Sequence, residues 1–405
     1  MALPRIRILD AFLVPGDGQD RVGIRDPENI QEETLLLPRF MFFISQLLDG
    51  QRDVAGVQEE AAKLLGGARI SAEAIEQVVG ELDRHWLLHS PRFEEKREEI
   101  EREFARAPVR RAWLANRSYP GERDELRKLL DGFFDKGPGA APAPPKRRRG
   151  IAGLVAPHID YHRGGAAYAH AYKAMAEMKP ADVYVVLGVA HASPPAPFIV
   201  CDKSFETPFG TAPWDAEFGR RLLARIRGDP KKHALVHRTE HSIEFQVVYL
   251  KYLFDHPFTI VPILCSSFEP LCGEDRPSGH DGIEEFILAL KDTIEETPGR
   301  VCVISGADLA HVGRRFGDDI DITPEVLDWV KRDDHTCLEY ALDGDAEGFY
   351  ASVMADGNRR KVCGLSSIYT AVRLLEKRKG KLLAYDSAPD PAGGIVSFAS
   401  VVYPG

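Results

Sequence analysis

Residues 151–162 read IAGLVAPHIDYH. The apolar run IAGLVA is a strand candidate, and it ends at Pro157 and then His158, with Asp160 and His162 close behind. Two further stretches repeat the arrangement. DVYVVLG (182–188) is followed by His191, and VCVISGA (301–307) is followed by Asp308 and His311. In open α/β sheets, ligands bind beyond the carboxyl ends of the strands. Three strands that each deliver a histidine just past their end therefore point to one shared site. Histidine is the commonest metal ligand and the usual acid–base group near neutral pH.

Outward from this stretch, strand candidates fall at 151–156, 182–187, 198–201, 258–264, 301–305 and 395–402. Helix candidates intervene at about 164–178, 215–227, 241–254, 281–296, 325–342 and 364–377. The alternation predicts an α/β layered sheet. Upstream, GPGAAPAPPKRRRG (137–150) reads as a Pro/Ala-rich loop or linker carrying the cations Lys146 to Arg149. Before it, helices are expected at 38–50, at 53–65 and after the N-cap Ser71, followed by a strand-like WLLHSPRF. That order suggests a small winged-helix-like N-terminal module over 1–110, with the α/β domain over 111–405. The segment EEKREEIEREFARA reads as an exposed charged helix.

Composition narrows the class. Lys plus Arg number 52 and Asp plus Glu 62, giving a net charge of −10. Residues 1–110 hold 15 basic and 21 acidic side chains, so nucleic acid is not an expected partner. No apolar run of membrane-spanning length and no signal-peptide pattern is present, so a cytoplasmic protein without a membrane partner is expected. The six cysteines form no CxxC pair, which weakens zinc-ribbon and thioredoxin readings.

Two imidazoles plus one anionic ligand would make a metal site with open positions. From the residues alone the anion could be Asp308, Asp160, Glu244 or a thiolate. Cys363 lies in RRKVCGLSS, just before a helix, where the helix dipole and Arg359, Arg360 and Lys361 favour thiolate. RTEHSIEFQ opens the helix 241–254, and His241 and Glu244 share one face of it, turned to the site or to the helix cap.

Together, APHIDYHRGG (156–165), LGVAHAS (187–193), TEHSIEFQ (239–246), ISGADLAHVG (304–313) and VCGLSSIY (362–369) resemble the Memo family. Its bacterial and archaeal members are called AmmeMemoRadiSam system protein B. The resemblance covers about residues 110–405, and ANRSYPGERDELRKLL (115–130) looks like the family's opening segment. It implies a layered αβα domain with a central mixed sheet, similar to class III extradiol dioxygenases. It also implies metal ligands at His158, His191 and Cys363, with Asp308 and His311 orienting substrate or moving protons and His241 supporting them. Ile159, Asp160 and His162 depart from the family pattern. A thiolate among the ligands favours iron(II) or copper, with zinc as the alternative.

Three functions follow as expectations. The first is a metal-dependent redox or oxygen-handling enzyme, dioxygenase-like in fold. The second is a module binding a peptide or protein through the cleft and the winged-helix part. The third is a zinc-type metallohydrolase. The cleft is expected to take a small-molecule or peptide substrate. The family name implies radical SAM and AMMECR-type pathway partners, although the CxxxCxxC signature of radical SAM enzymes is absent from this chain.

Overall fold

The computed structural model describes residues 1–14, 21–139, 150–192 and 194–405. The greater part of the expected linker 137–150, with Lys146 to Arg149, lies outside the described residues. The chain divides into two compact units, Met1–Ala107 and Pro108–Gly405.

The first unit opens with three antiparallel strands in the order β1 (Asp10–Val14), β2 (Arg21–Arg25), β3 (Leu35–Pro38). Four helices follow: α1 (Arg39–Ser45), α2 (Val54–Leu64), α3 (Ala72–Arg84) and α4 (Pro91–Arg106). Asp53, Ser71 and Ser90 cap α2, α3 and α4 by accepting from Gly56, Ala74 and Phe93 N–H groups. The α3 stripe Ile75, Val78 and Leu82 packs into one core with Val22, Ile24, Leu37, Ile44 and Val57. The helices expected from the winged-helix reading are present, but the sheet lies ahead of them in the chain. WLLHSPRF forms no strand. Trp86 takes φ 55°, Leu88 makes a single antiparallel bridge to Ile6, and Pro91 already starts α4.

The second unit begins with β4 (Val109–Arg110), α5 (Arg123–Lys136), β5 (Ile151–Ala156), α6 (Tyr161–Ala176) and β6 (Val183–Val189). It continues through β7 (Phe198–Val200), β8 (Ser204–Phe205), α7 (Ala216–Leu223), α8 (His241–Leu253), β9 (Thr259–Cys265), α9 (Glu269–Cys272) and α10 (Asp281–Glu295). It closes with β10 (Val301–Gly306), β11 (Asp308–Val312), α11 (Pro324–Asp343), α12 (Ala346–Met354), α13 (Leu365–Leu375), β12 (Lys381–Asp390) and β13 (Gly394–Pro404). The main sheet runs β11-β13-β5-β10-β6-β9-β7, with β12 also on β13. Strands β5, β10, β6 and β9 are parallel, and the strands outside them are antiparallel, so the sheet is mixed. Each face is covered. A Cβ on Gly306 would meet α8 at Ser242 and Gln246, whereas the neighbouring Ser305 hydrogen-bonds Ser367 of α13 on the other face. Helices α5, α9 and α12 and strands β4, β8, β11 and β12 are absent from the sequence reading.

A buried ionic knot ties the far edge of this unit together. Asp334 of α11, fully buried, accepts from Arg360, from Tyr385 of β12 at 2.9 Å and from Ser397 of β13. Removing one partner of a buried pair leaves the other charge uncompensated. Asp334→Ala should therefore cost about 3–5 kcal/mol, read as a lowered urea midpoint; an unchanged midpoint would contradict this account.

Candidate metal centre

Parallel neighbours end on the same side of a sheet, and β5, β10 and β6 place their carboxyl ends side by side. His158 follows β5 after Pro157, and His191 follows β6 after Ala190, whose N–H is bonded to Cys265 O of β9 at 2.9 Å. Gly306, at the end of β10, stands between them, and its carbonyl accepts from His158 Nδ1 at 2.9 Å. A carbonyl can only accept, so His158 carries its proton on Nδ1 and turns the Nε2 lone pair outward.

Helix α8 brings the third imidazole. Its cap is Glu240, whose Oε1 accepts from the N–H groups of His241 at 2.8 Å and Ser242 at 3.1 Å. The same carboxylate lies 3.0 Å from Nδ1 of both His191 and His241 and accepts the His191 N–H at 3.2 Å. Both rings therefore present Nε2 away from Glu240. The ring centres of His158, His191 and His241 stand 5.0, 5.2 and 4.6 Å apart. One ligand atom from each lies within 4.8 Å of the others, close enough to share one ion.

The electrostatics differ between the deep and the exposed imidazoles. Burial, aided by the two neighbouring imidazoles, holds His158 well below the usual histidine range. Burial alone would lower His191 too, but the charge and hydrogen bond of Glu240 outweigh it and leave it raised. Burial works against the Glu240 charge, yet His191 and His241 hold its carboxyl well below the usual range. His158 is 2% exposed, while the His191 side chain is 39% exposed, so the cluster has a closed floor and an open rim.

This corrects the expected His–His–Cys set. The group able to hold a metal is all-histidine, and His241, expected only to support it, stands in the cluster itself. Cys363 is outside the group. Its Sγ lies 3.3 Å from His158 Nε2 and 3.8 Å from Asp308 O. Burial and the Asp308 charge push its pKa well above the ordinary thiol value, which favours the thiol over the expected thiolate. The three cations meant to favour it are engaged elsewhere: Arg359 over the Trp329 ring, Arg360 on Asp334 and Lys361 on Asp318.

Asp308, 2% exposed, starts β11, accepts the His158 N–H at 2.8 Å and lies 3.6 Å from its Nε2. His311 lies further along β11, with Nδ1 3.1 Å from Leu309 O and its ring edge-on to Phe316. Burial lowers its pKa to about 4, so it is neutral. Glu244 is turned away from the site. It binds Arg110, the N–H groups of Trp113 and Leu114, and the Tyr119 hydroxyl. Asp160 caps α6 and pairs with Arg163, while His162 is exposed. Sequence reasoning saw Glu240 without giving it a task; a carboxylate directly before the helix-opening histidine was the available signal.

A family model described as Memo-like protein matches residues 110–402. The chain belongs to the Memo-like family. It is 29% identical over 404 residues to a MEMO1 family protein of Aquifex aeolicus, covering 99% of both chains. It is also 29% identical over 335 residues to one from Thermus thermophilus, covering 82% of this chain and 93% of that one. A relative from Methanopyrus kandleri is 27% identical over 299 residues, which is 97% of that protein but 72% of this Memo-like chain.

Asp308 gives this Memo-like protein a measurable signature. Burial raises its carboxyl pKa from 3.8 to about 6, against the hydrogen bonds from His158 and Ile159. Between those values the folded chain keeps a proton that the unfolded chain has released, so the contribution of Asp308 to stability falls as pH rises through the window. The stability of wild type relative to Asp308→Asn should drop by roughly 1–3 kcal/mol between about pH 4 and pH 6 and then level off. Urea unfolding of chelator-treated protein across that range checks it, and a pH-independent difference would contradict it.

Proposed function

We propose that this protein binds one divalent transition-metal ion on His158, His191 and His241 and acts on a small polar molecule or peptide side chain held beside it. The observation that carries the reading is the fixed orientation of all three imidazoles, one by Gly306 O and two by Glu240. Metal-ligating histidines commonly donate their second nitrogen to such a carbonyl or carboxylate. Neutral imidazole donors suit zinc, iron(II) or copper(II), and without a thiolate the argument for copper(I) lapses. When bound, such an ion supplies Lewis acidity at its open positions.

The chain's own residues supply the rest. Asp308, with its pKa near 6, takes up or returns a proton close to neutral pH, where a general acid–base group works best. Glu240 keeps the two exposed-side imidazoles aimed. A groove of about 550 Å³ opens at Asp160 and His162, just past His158 in the chain, between Arg117, Tyr119, Pro120 and Glu125. Two of this chain's departures from the family pattern, Asp160 and His162, fall in its wall, while neither Asp308 nor any of the three clustered imidazoles lines it. His311 lies on the same strand as Asp308 and is a neutral imidazole. A cytoplasmic setting and association with radical SAM and AMMECR-type proteins belong to the same proposal. Among the described residues no helix is long and apolar enough to cross a membrane.

Elemental analysis after anaerobic reconstitution with zinc, iron(II) or copper(II), followed by desalting, tests the ligand set. About one ion per chain is expected in wild type, little in His158→Ala or His241→Ala, and a full complement in Cys363→Ser. Loss in Cys363→Ser with retention in His241→Ala would overturn the three-histidine assignment. Glu240→Gln should retain the fold and weaken metal affinity about 10- to 100-fold, as removal of outer-shell partners does, measured by chelator competition.

A further inference from the structure

We propose that Ser242 and Gln246 are positioning residues of the metal centre, clamping the backbones that carry His191 and His158 onto the helix that carries His241. The inference rests on the metal reading above. Ser242 and Gln246 lie one turn apart on α8, and both are fully buried. The Ser242 hydroxyl accepts the Val189 N–H at 2.9 Å and donates to Val189 O at 3.2 Å. It thus holds both backbone groups of a single residue, two positions before His191. The Gln246 amide donates from Nε2 to Pro157 O at 2.8 Å, the residue immediately before His158. Its Oε1 accepts from the Tyr172 hydroxyl at 2.8 Å, which fixes the amide orientation.

Close packing supports the same role. A Cβ on Gly188 would lie 2.5 Å from Ser242 Oγ. A Cβ on Gly306 would lie 2.4 Å from Ser242 O and 2.7 Å from Gln246 Nε2. The ends of β6 and β10 therefore approach α8 as closely as bare backbone allows. The clamps end one residue before His158 and two before His191. With Glu240 at the helix cap, the first two turns of α8 address every imidazole of the cluster: His241 directly, His191 through Glu240 and Ser242, His158 through Gln246. Sites of this kind need their groups held within about 0.5 Å and 10–20°, and one rigid helix referencing three separate ligands meets that need.

The test uses the full chain loaded with cobalt(II), whose visible absorption reports coordination geometry. Ser242→Ala and Gln246→Met are compared with Tyr403→Phe, which removes a buried hydrogen bond to Ala341 O and touches neither clamp. Ser242→Ala and Gln246→Met should each weaken cobalt affinity by about tenfold or more and alter the absorption bands. Tyr403→Phe should leave affinity and spectrum as in wild type, even where urea unfolding shows comparable loss of stability. Wild-type affinity and an unaltered spectrum in both clamp variants would overturn the proposal. So would an equal spectral change in Tyr403→Phe, because general loosening would then account for it. A wild-type chain that takes up no cobalt overturns the metal reading itself, and the positioning role with it.

Discussion

The site depends on a carboxylate that burial alone would not tolerate. An ionised group withdrawn from water costs several kcal/mol unless its lone pairs are met, and Glu240 is almost fully buried. Donors that meet it belong to the site: three backbone N–H groups around His191 and the start of α8, and Nδ1 of two imidazoles. The helix N-terminus adds a favourable field. Shorter side chains are the usual choice at such a cap. Glutamate has the extra reach to serve the helix end and the two rings together. Stability of the charge and orientation of the ligands are thus one interaction.

One turn further along α8, a second buried carboxylate does a different task. Glu244 gathers Arg110, two backbone N–H groups and the Tyr119 hydroxyl, and so straps the opening segment of the second unit across the helix. Tyr119 in turn packs on Tyr161 and Phe245. The segment TEHSIEFQ is dense in polar residues because each one addresses a different neighbour: a ligand, a strand end or the strap. An amphipathic helix with a single buried stripe would serve one neighbour only, and α8 is buried on nearly all sides.

Much of this was legible in the sequence. The strand–helix alternation gave the layered sheet, because strands buried on both faces read as short apolar runs. The histidines past the strand ends were legible for the same topological reason. What the residues did not reveal was which third ligand completes the set. Cys363 sits before a helix among cations, and local reasoning makes it a thiolate. The partners of those cations, Asp334, Asp318 and Trp329, are distant in the chain, as is Asp308 beside the thiol. Burial and long-range pairing reversed a local electrostatic argument. His241 was underrated for the complementary reason: its place depends on α8 seating against Gly188 and Gly306, a packing relation that no spacing within TEHSIEFQ displays.

The position of β13 has a consequence for how such a chain is made. This strand lies between β11 and β5, and Val401 pairs with Val155 across most of the second unit. β10, on the other side of β5, is also made late. During synthesis β5 therefore emerges with neither of its final neighbours, an apolar strand with both edges unpaired, the kind of surface that recruits other chains. The first unit, whose strands pair with near neighbours in sequence, has no such wait. His158 is fastened only when the distant strands arrive, so its cluster comes together late in synthesis, and a nascent chain stalled before β10 would expose β5 as a target for chaperones.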